Sequence, residues 1–203
     1  MLRAPTDVGP MSKKIDNQNL ALKVGLRRYM LDKYHREGRI DVLDACQGSG
    51  QIWAQLRQFY RLDSYLGIDT KHKAGRLQFD SARLLALEGL QQNVIDIDTY
   101  ASPWKHWQAL VCSLNRPTTV FLTMAACQGP HGPNVQKVQK EALGLAGLNV
   151  PKVIVGRLQD LANRHQLAWA ARRGVEIVEA VRAASGPTRM RYLAIRCRPA
   201  GGG

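Results

Sequence analysis

The chain has no run of eighteen apolar residues, so nothing in it reads as a membrane-spanning helix. Its N-terminus lacks a secretory pattern as well, because Asp7, Lys13, Lys14 and Asp16 interrupt any apolar stretch. A cytoplasmic location is the default expectation. No CxxC pair is present: Cys46, Cys112, Cys127 and Cys197 are scattered, which argues against a structural zinc site and against a disulfide framework. No metal is expected. Cys112 and Cys197 read as buried, reduced thiols, and His106 and His131, with no paired ligand, read as polar surface. Internal repeats are absent too.

Acidic residues are scarce. Sixteen Asp and Glu face 29 Lys and Arg, for a formal net charge of +13. Met1 to Trp104 holds 15 basic and 12 acidic side chains, Lys105 to Val150 holds 4 and 1, and the stretch from Pro151 onward holds 10 and 3. Such an excess draws polyanions from a distance, so nucleic acid is the expected partner. The basic segment from Gln136 to Arg173, ending in Arg172 and Arg173, is its candidate contact. No membrane partner is expected, and a homodimer or a protein partner for substrate recognition is a further expectation.

What is present is enough for one core: 203 residues, 45% hydrophobic, too few for two full catalytic domains. Residues 1–19, without periodicity, read as a mobile tail, and 20–200 as a single domain opening on a helix. In that helix, Asn19 to Glu37, Leu22, Leu26, Tyr29 and Met30 share a face and Gly38 terminates it. Strands and helices then alternate. Strands are predicted at Ile40–Ala45, Tyr65–Ile68, Arg76–Phe79 (weaker), Val94–Ile97 and Thr118–Thr123. Helices are predicted after Gly50, over Ser81–Leu87, after Ser102-Pro103, after Asn134, and from Pro151 to Gly174. Two β-patterned stretches, Val175–Val181 and Met190–Cys197, close the chain as a hairpin around Ser185-Gly186-Pro187. Gly201-Gly202-Gly203 is expected to be disordered.

This order implies an α/β fold: a mostly parallel sheet wrapped by helices, with a C-terminal antiparallel hairpin. In such sheets ligands bind at the carboxyl ends of the strands. Asp69, Asp80 and Asp98 each close a predicted strand, and Asp44 lies near the end of the first, just before a glycine turn. The ten residues between Asp69 and Asp80 leave little room for a crossover helix.

The segment Asp44-Ala45-Cys46-Gln47-Gly48-Ser49-Gly50 resembles the first motif of class I S-adenosylmethionine-dependent methyltransferases, with Cys46 in place of the usual first glycine. That resemblance implies a Rossmann-like fold with a seven-stranded sheet, and S-adenosylmethionine as cofactor. Gly48 and Gly50 would let the backbone approach the cofactor's amino-acid portion. Asp44 would accept from its ammonium, Asp69 would hold the ribose diol, and Asp80-Ser81-Ala82 resembles the adenine-contacting position. Cys46 belongs to the same cofactor-binding loop.

Asp98-Thr99-Tyr100-Ala101-Ser102-Pro103-Trp104 resembles the Asp-Pro-Phe/Tyr-Gly-Ser-Pro signature of tRNA guanosine dimethyltransferases, with Thr99 at the motif proline. The likeness runs from Ile40 to Ala126, and no counterpart of that family's large C-terminal domain is expected within these 203 residues. It implies methylation of an exocyclic amine of a nucleobase in RNA (tRNA-like) or DNA, RNA ahead of DNA. Asp98 would accept the amine's hydrogens, Tyr100 would stack on the base, and Ser102 would start the next helix and shape the pocket wall. Two alternatives stand beside it. Cys127, after the fifth strand, would be the nucleophile of an RNA cytosine C5-methyltransferase, although that family's cysteine after the fourth strand is missing. The other is a non-catalytic cofactor- or nucleic-acid-binding accessory protein.

Overall fold

The computed structural model describes residues 19–71, 77–99, 102–124, 132–155, 157–184 and 190–201, with backbone alone at 132–135 and 152–153. Its strands are β1 (Asp41–Asp44), β2 (Ser64–Asp69), β3 (Leu77–Gln78), β4 (Val94–Ile97), β5 (Thr118–Met124), β6 (Val175–Ala184) and β7 (Arg191–Pro199). They form one seven-stranded sheet in the order β3-β2-β1-β4-β5-β7-β6. The first five are parallel, β7 runs antiparallel to β5, and β6 antiparallel to β7. The direction of strand order reverses between β1 and β4.

β1, β4 and β5 are buried at every position, as strands covered on both faces must be. One face carries Leu43, Ile95, Val120 and Leu193 beneath α3 (Ser81–Leu85), α4 (Trp104–Ser113) and α7 (Leu158–Arg172). The other carries Val42, Val94 and Phe121 beneath α1 (Leu20–Tyr34) and α2 (Gln51–Leu56). The edge strand β6 instead alternates, as a half-exposed strand should. The expected Pro151–Gly174 helix is two, a four-residue α6 (Lys152–Val155) and α7, while α5 spans Gly132–Ala142. Only seven residues join β2 to β3, and the two strands pair at just two positions, Ile68 with Leu77 and Asp69 with Gln78.

Three expectations need correction. Tyr29 does not join the buried face of α1: it is 45% exposed and its hydroxyl donates to Glu179 at 2.9 Å. The buried face is turned so that Lys23 and Arg27 lie inside with Val24, Leu26, Met30 and Leu31. Cys112 is exposed rather than buried, because α4 turns Trp107, Leu110 and Val111 to the core and the next residue points away; Cys197 is buried as expected. His106 is half-buried and hydrogen-bonded, not polar surface. The tail at 1–18, the hairpin turn at 185–189 and His131 lie outside the described residues.

Candidate active site

The loop after β1 is anchored on both neighbouring strands. Ala45 N donates to Asp96 O at 2.8 Å and Gln47 N to Ile68 O at 2.9 Å. Gly48 (φ +52°) and Gly50 (φ +72°) then take the left-handed conformation that lets the chain turn sharply into α2. Gly48 N donates to Asp69 Oδ2 at 3.1 Å, and Lys71 N to Asp69 Oδ1 at 3.0 Å. The Asp69 carboxylate thus ties the end of β2 to the glycine loop. A residue pair that sequence reasoning missed supports this geometry. The Gln47 side chain lies across Gly67, where any Cβ would sit 2.5 Å from its Cδ. Its Oε1 is buried and has no partner among the described residues. The available signal was a glycine inside a strand pattern, which marks close approach of another group.

At the ends of β2 and β3 a surface hollow of about 380 Å³ is lined by Thr70, Gln78, Phe79, Asp80 and Arg83. Asp80 caps α3, accepting from Ala82 N at 2.9 Å and Arg83 N at 3.4 Å. Behind it, Ser81 Oγ lies 2.8 Å from His106 Nε2 and 4.0 Å from Cys46 Sγ. Burial pushes the Cys46 thiol up to about 12, so it stays protonated and packs behind the loop rather than acting as a nucleophile. Burial lowers the pKa of His106, which keeps the ring neutral.

On the α1 side of the sheet three aspartates form a ladder. Asp44 is buried, accepts from the Tyr65 hydroxyl at 2.9 Å and sits in register beside Asp96. Burial and the Asp96 carboxylate together push its carboxyl up to about 8. Asp96 receives Arg27 through two contacts of 2.6 and 2.7 Å, and Trp53 Nε1 at 2.8 Å. Asp98 receives Lys23 Nζ at 2.5 Å. The match follows from element geometry. Four residues of helix advance about 6 Å and two residues of strand about 6.6 Å, so Lys23 and Arg27 meet Asp98 and Asp96 in step. Burial opposes the Arg27 charge, but Asp96 outweighs it and raises the guanidinium pKa.

Asp44, Gly48, Gly50, Asp69, Asp80 and Asp98 therefore gather at the carboxyl edge of β1 to β4, with Cys46 just behind the loop. Ser102 lies two residues before α4, its Oγ accepting from Trp104 N at 3.4 Å. Tyr100 and Cys127 lie outside the described residues. Arg172 and Arg173, by contrast, end α7 just before Val175, which pairs with Pro199 near the start of β5. That is the amino edge of the sheet, away from the cleft.

No family model matches the chain, and no curated protein matches it. Solved structures do. Trm1 from Pyrococcus horikoshii, in complex with S-adenosyl-L-methionine, superposes with a TM-score of 0.63 at 13% identity, covering 94% of this chain and 58% of its own. The chain thus spans less than two thirds of the Pyrococcus protein. The plantazolicin methyltransferase BamL, with a desmethylPZN analog and SAH, gives 0.54 at 11% identity, covering 88% of this chain and 85% of its own. Magnesium protoporphyrin IX methyltransferase from Synechocystis PCC 6803, with SAH, gives 0.51 at 16%, covering 87% and 82%. The fold is the Rossmann-like one of class I methyltransferases.

Proposed function

We propose that the chain is an S-adenosylmethionine-dependent methyltransferase acting on an exocyclic amine of a nucleobase, in tRNA-like RNA or DNA. The observation that carries the reading is the convergence of the glycine loop, Asp69 and Asp98 at the carboxyl edge where strand order reverses, the ligand position of this sheet type. The cofactor fits the residues present: the two left-handed glycines clear side chains from the loop, and the Asp69 carboxylate stands beside them at the end of β2. The fold's neighbours bound to S-adenosylmethionine or SAH support it, as does Trm1, a tRNA dimethyltransferase, for the acceptor class. The net charge of +13 supports a polyanionic acceptor.

In this reading Gly48, Gly50 and Cys46 form the loop around the cofactor's amino-acid portion, Asp44 lies beneath it, Asp69 holds the ribose and Asp80 borders the adenine. The bound cofactor supplies a sulfonium methyl that is already electrophilic. The chain's task is alignment. Asp98 accepts a hydrogen from the acceptor amine and holds its lone pair toward the methyl. Tyr100 offers a face for the base. Ser102 fixes the start of α4 beside the pocket. The reading is tested by incubating the protein with labelled methyl donor and total RNA or DNA, followed by nucleoside mass analysis. An N-methylated purine or cytosine is expected; label in protein or small molecules only would overturn it.

A further inference from the structure

One charge in the acceptor region has no part in the mechanism above. Lys23 enters from α1, its side chain 7% exposed, and places Nζ 2.5 Å from Asp98 Oδ2; the Asp98 side chain is 16% exposed. The Tyr192 ring centroid lies 5.7 Å from the same ammonium, and Asn19 Nδ2 donates to the Tyr192 hydroxyl at 3.3 Å. Asn19 itself is the one non-glycine residue with positive φ (+66°) among the described residues. The start of α1 is therefore held in a costly conformation beside the pair. One turn on, Arg27 is locked to Asp96, which fixes the register of α1 on β4 and so the position of Lys23.

We propose that Lys23 is a specificity-determining residue of the acceptor site: by neutralising Asp98 it restricts the site to amines that are uncharged in solution, the aromatic amines of nucleobases, and rejects alkylammonium groups. An alkylammonium needs an unpaired carboxylate to hold its charge and to take its proton before it can attack. Asp98 already carries a cation on Oδ2, and a second cation would meet Lys23 in a water-poor setting where like charges are poorly screened. A neutral aromatic amine asks only for a hydrogen-bond acceptor while it attacks the methyl. The thioether leaves, and the proton that the methylated nitrogen then sheds passes to solvent at the partly exposed Asp98. Lys23 is held on Oδ2, and an amine hydrogen can be accepted by the same carboxylate's other oxygen. The inference rests on the methyltransferase reading and on the place given to Asp98 there.

The test compares wild type, Lys23→Met and Lys23→Arg, each loaded with S-adenosylhomocysteine, by calorimetric titration with spermidine as the alkylammonium probe. Wild type and Lys23→Arg should show no saturable binding. Lys23→Met should bind spermidine at least tenfold more tightly than wild type, and Lys23→Met/Asp98→Asn should lose the gain. In parallel, wild type should transfer methyl groups to RNA and not to spermidine, with the preference falling at least tenfold in Lys23→Met. Equal spermidine binding by wild type and Lys23→Met, or wild-type methylation of spermidine, overturns the role given to Lys23. Failure of wild type to bind S-adenosylhomocysteine at all overturns the methyltransferase reading instead, and the inference with it.

Discussion

Arg27 and Asp96 meet through two charge-assisted contacts of 2.6 and 2.7 Å, with both side chains 1% exposed. Removing one partner strands the other's charge in the core. Arg27→Met should cost about 3–5 kcal/mol of stability, the usual penalty for breaking a buried pair. Arg27→Met/Asp96→Asn should cost clearly less than the two single changes added. Denaturant unfolding checks this, and strictly additive losses would show that the contacts contribute nothing jointly.

Asp44 makes stability depend on pH. Its folded carboxyl, up at about 8, keeps a proton that the unfolded chain gives up above about pH 4. Its contribution is complete below pH 4 and is lost as pH rises through 8. His35 runs the other way: burial, with Arg196 nearby, lowers it to about 4, so its contribution is present above about 6.5 and lost as pH falls through 4. Asp44→Asn keeps His35 unchanged, so the difference between variant and wild type from pH 5 to 8 isolates Asp44. Wild-type stability should fall relative to the variant by up to about 1.4 kcal/mol per pH unit. Parallel curves would contradict the assignment.

Asp69 braces the glycine loop and, in the proposed function, holds the ribose. Asp69→Ala should weaken S-adenosylmethionine or S-adenosylhomocysteine binding by about 1–3 kcal/mol, measured by calorimetry, with no affinity for NAD in either protein. Heat with NAD and none with the methyl-donor ligands would reverse the cofactor assignment.

Asp98 and Cys127 separate the two chemistries. With an amine acceptor, Asp98→Ala should reduce methyl transfer by about a hundredfold or more while cofactor affinity changes little. Cys127→Ser should retain most activity. A covalent complex trapped at Cys127 by RNA containing a fluorinated pyrimidine would favour the C5 chemistry.

Nucleic-acid binding should weaken steeply with salt. The sheet topology redirects the choice of contact residues. Arg191 opens β7 opposite Met124, at the carboxyl edge beside the cleft, whereas Arg172 and Arg173 lie at the opposite edge. Arg191→Glu should therefore reduce RNA affinity more than Arg172→Glu/Arg173→Glu in filter-binding titrations. The reverse ranking would place the nucleic acid on the far edge.

The amino-acid order alone determined the strand–helix alternation, the glycine turn, and the aspartates at the ends of β2 and β4. These are local signals: an apolar run such as Val94-Ile95-Asp96-Ile97 ends where polar and turn residues begin, and its central position needs no knowledge of neighbours. Even there the role of Asp96 is not legible, because one carboxylate inside an apolar run has no visible partner until α1 is packed on β4. Lys23 and Arg27 were legible only as charges that helical periodicity assigns to solvent. Only the tertiary structure turned them inward, since their burial depends on two carboxylates some seventy residues away. The same holds for Gln47 over Gly67 and for the far-edge position of Arg173. Each depends on which segments become neighbours, and that is settled by the parallel order of the sheet and the antiparallel return of β6 and β7 rather than by any local pattern.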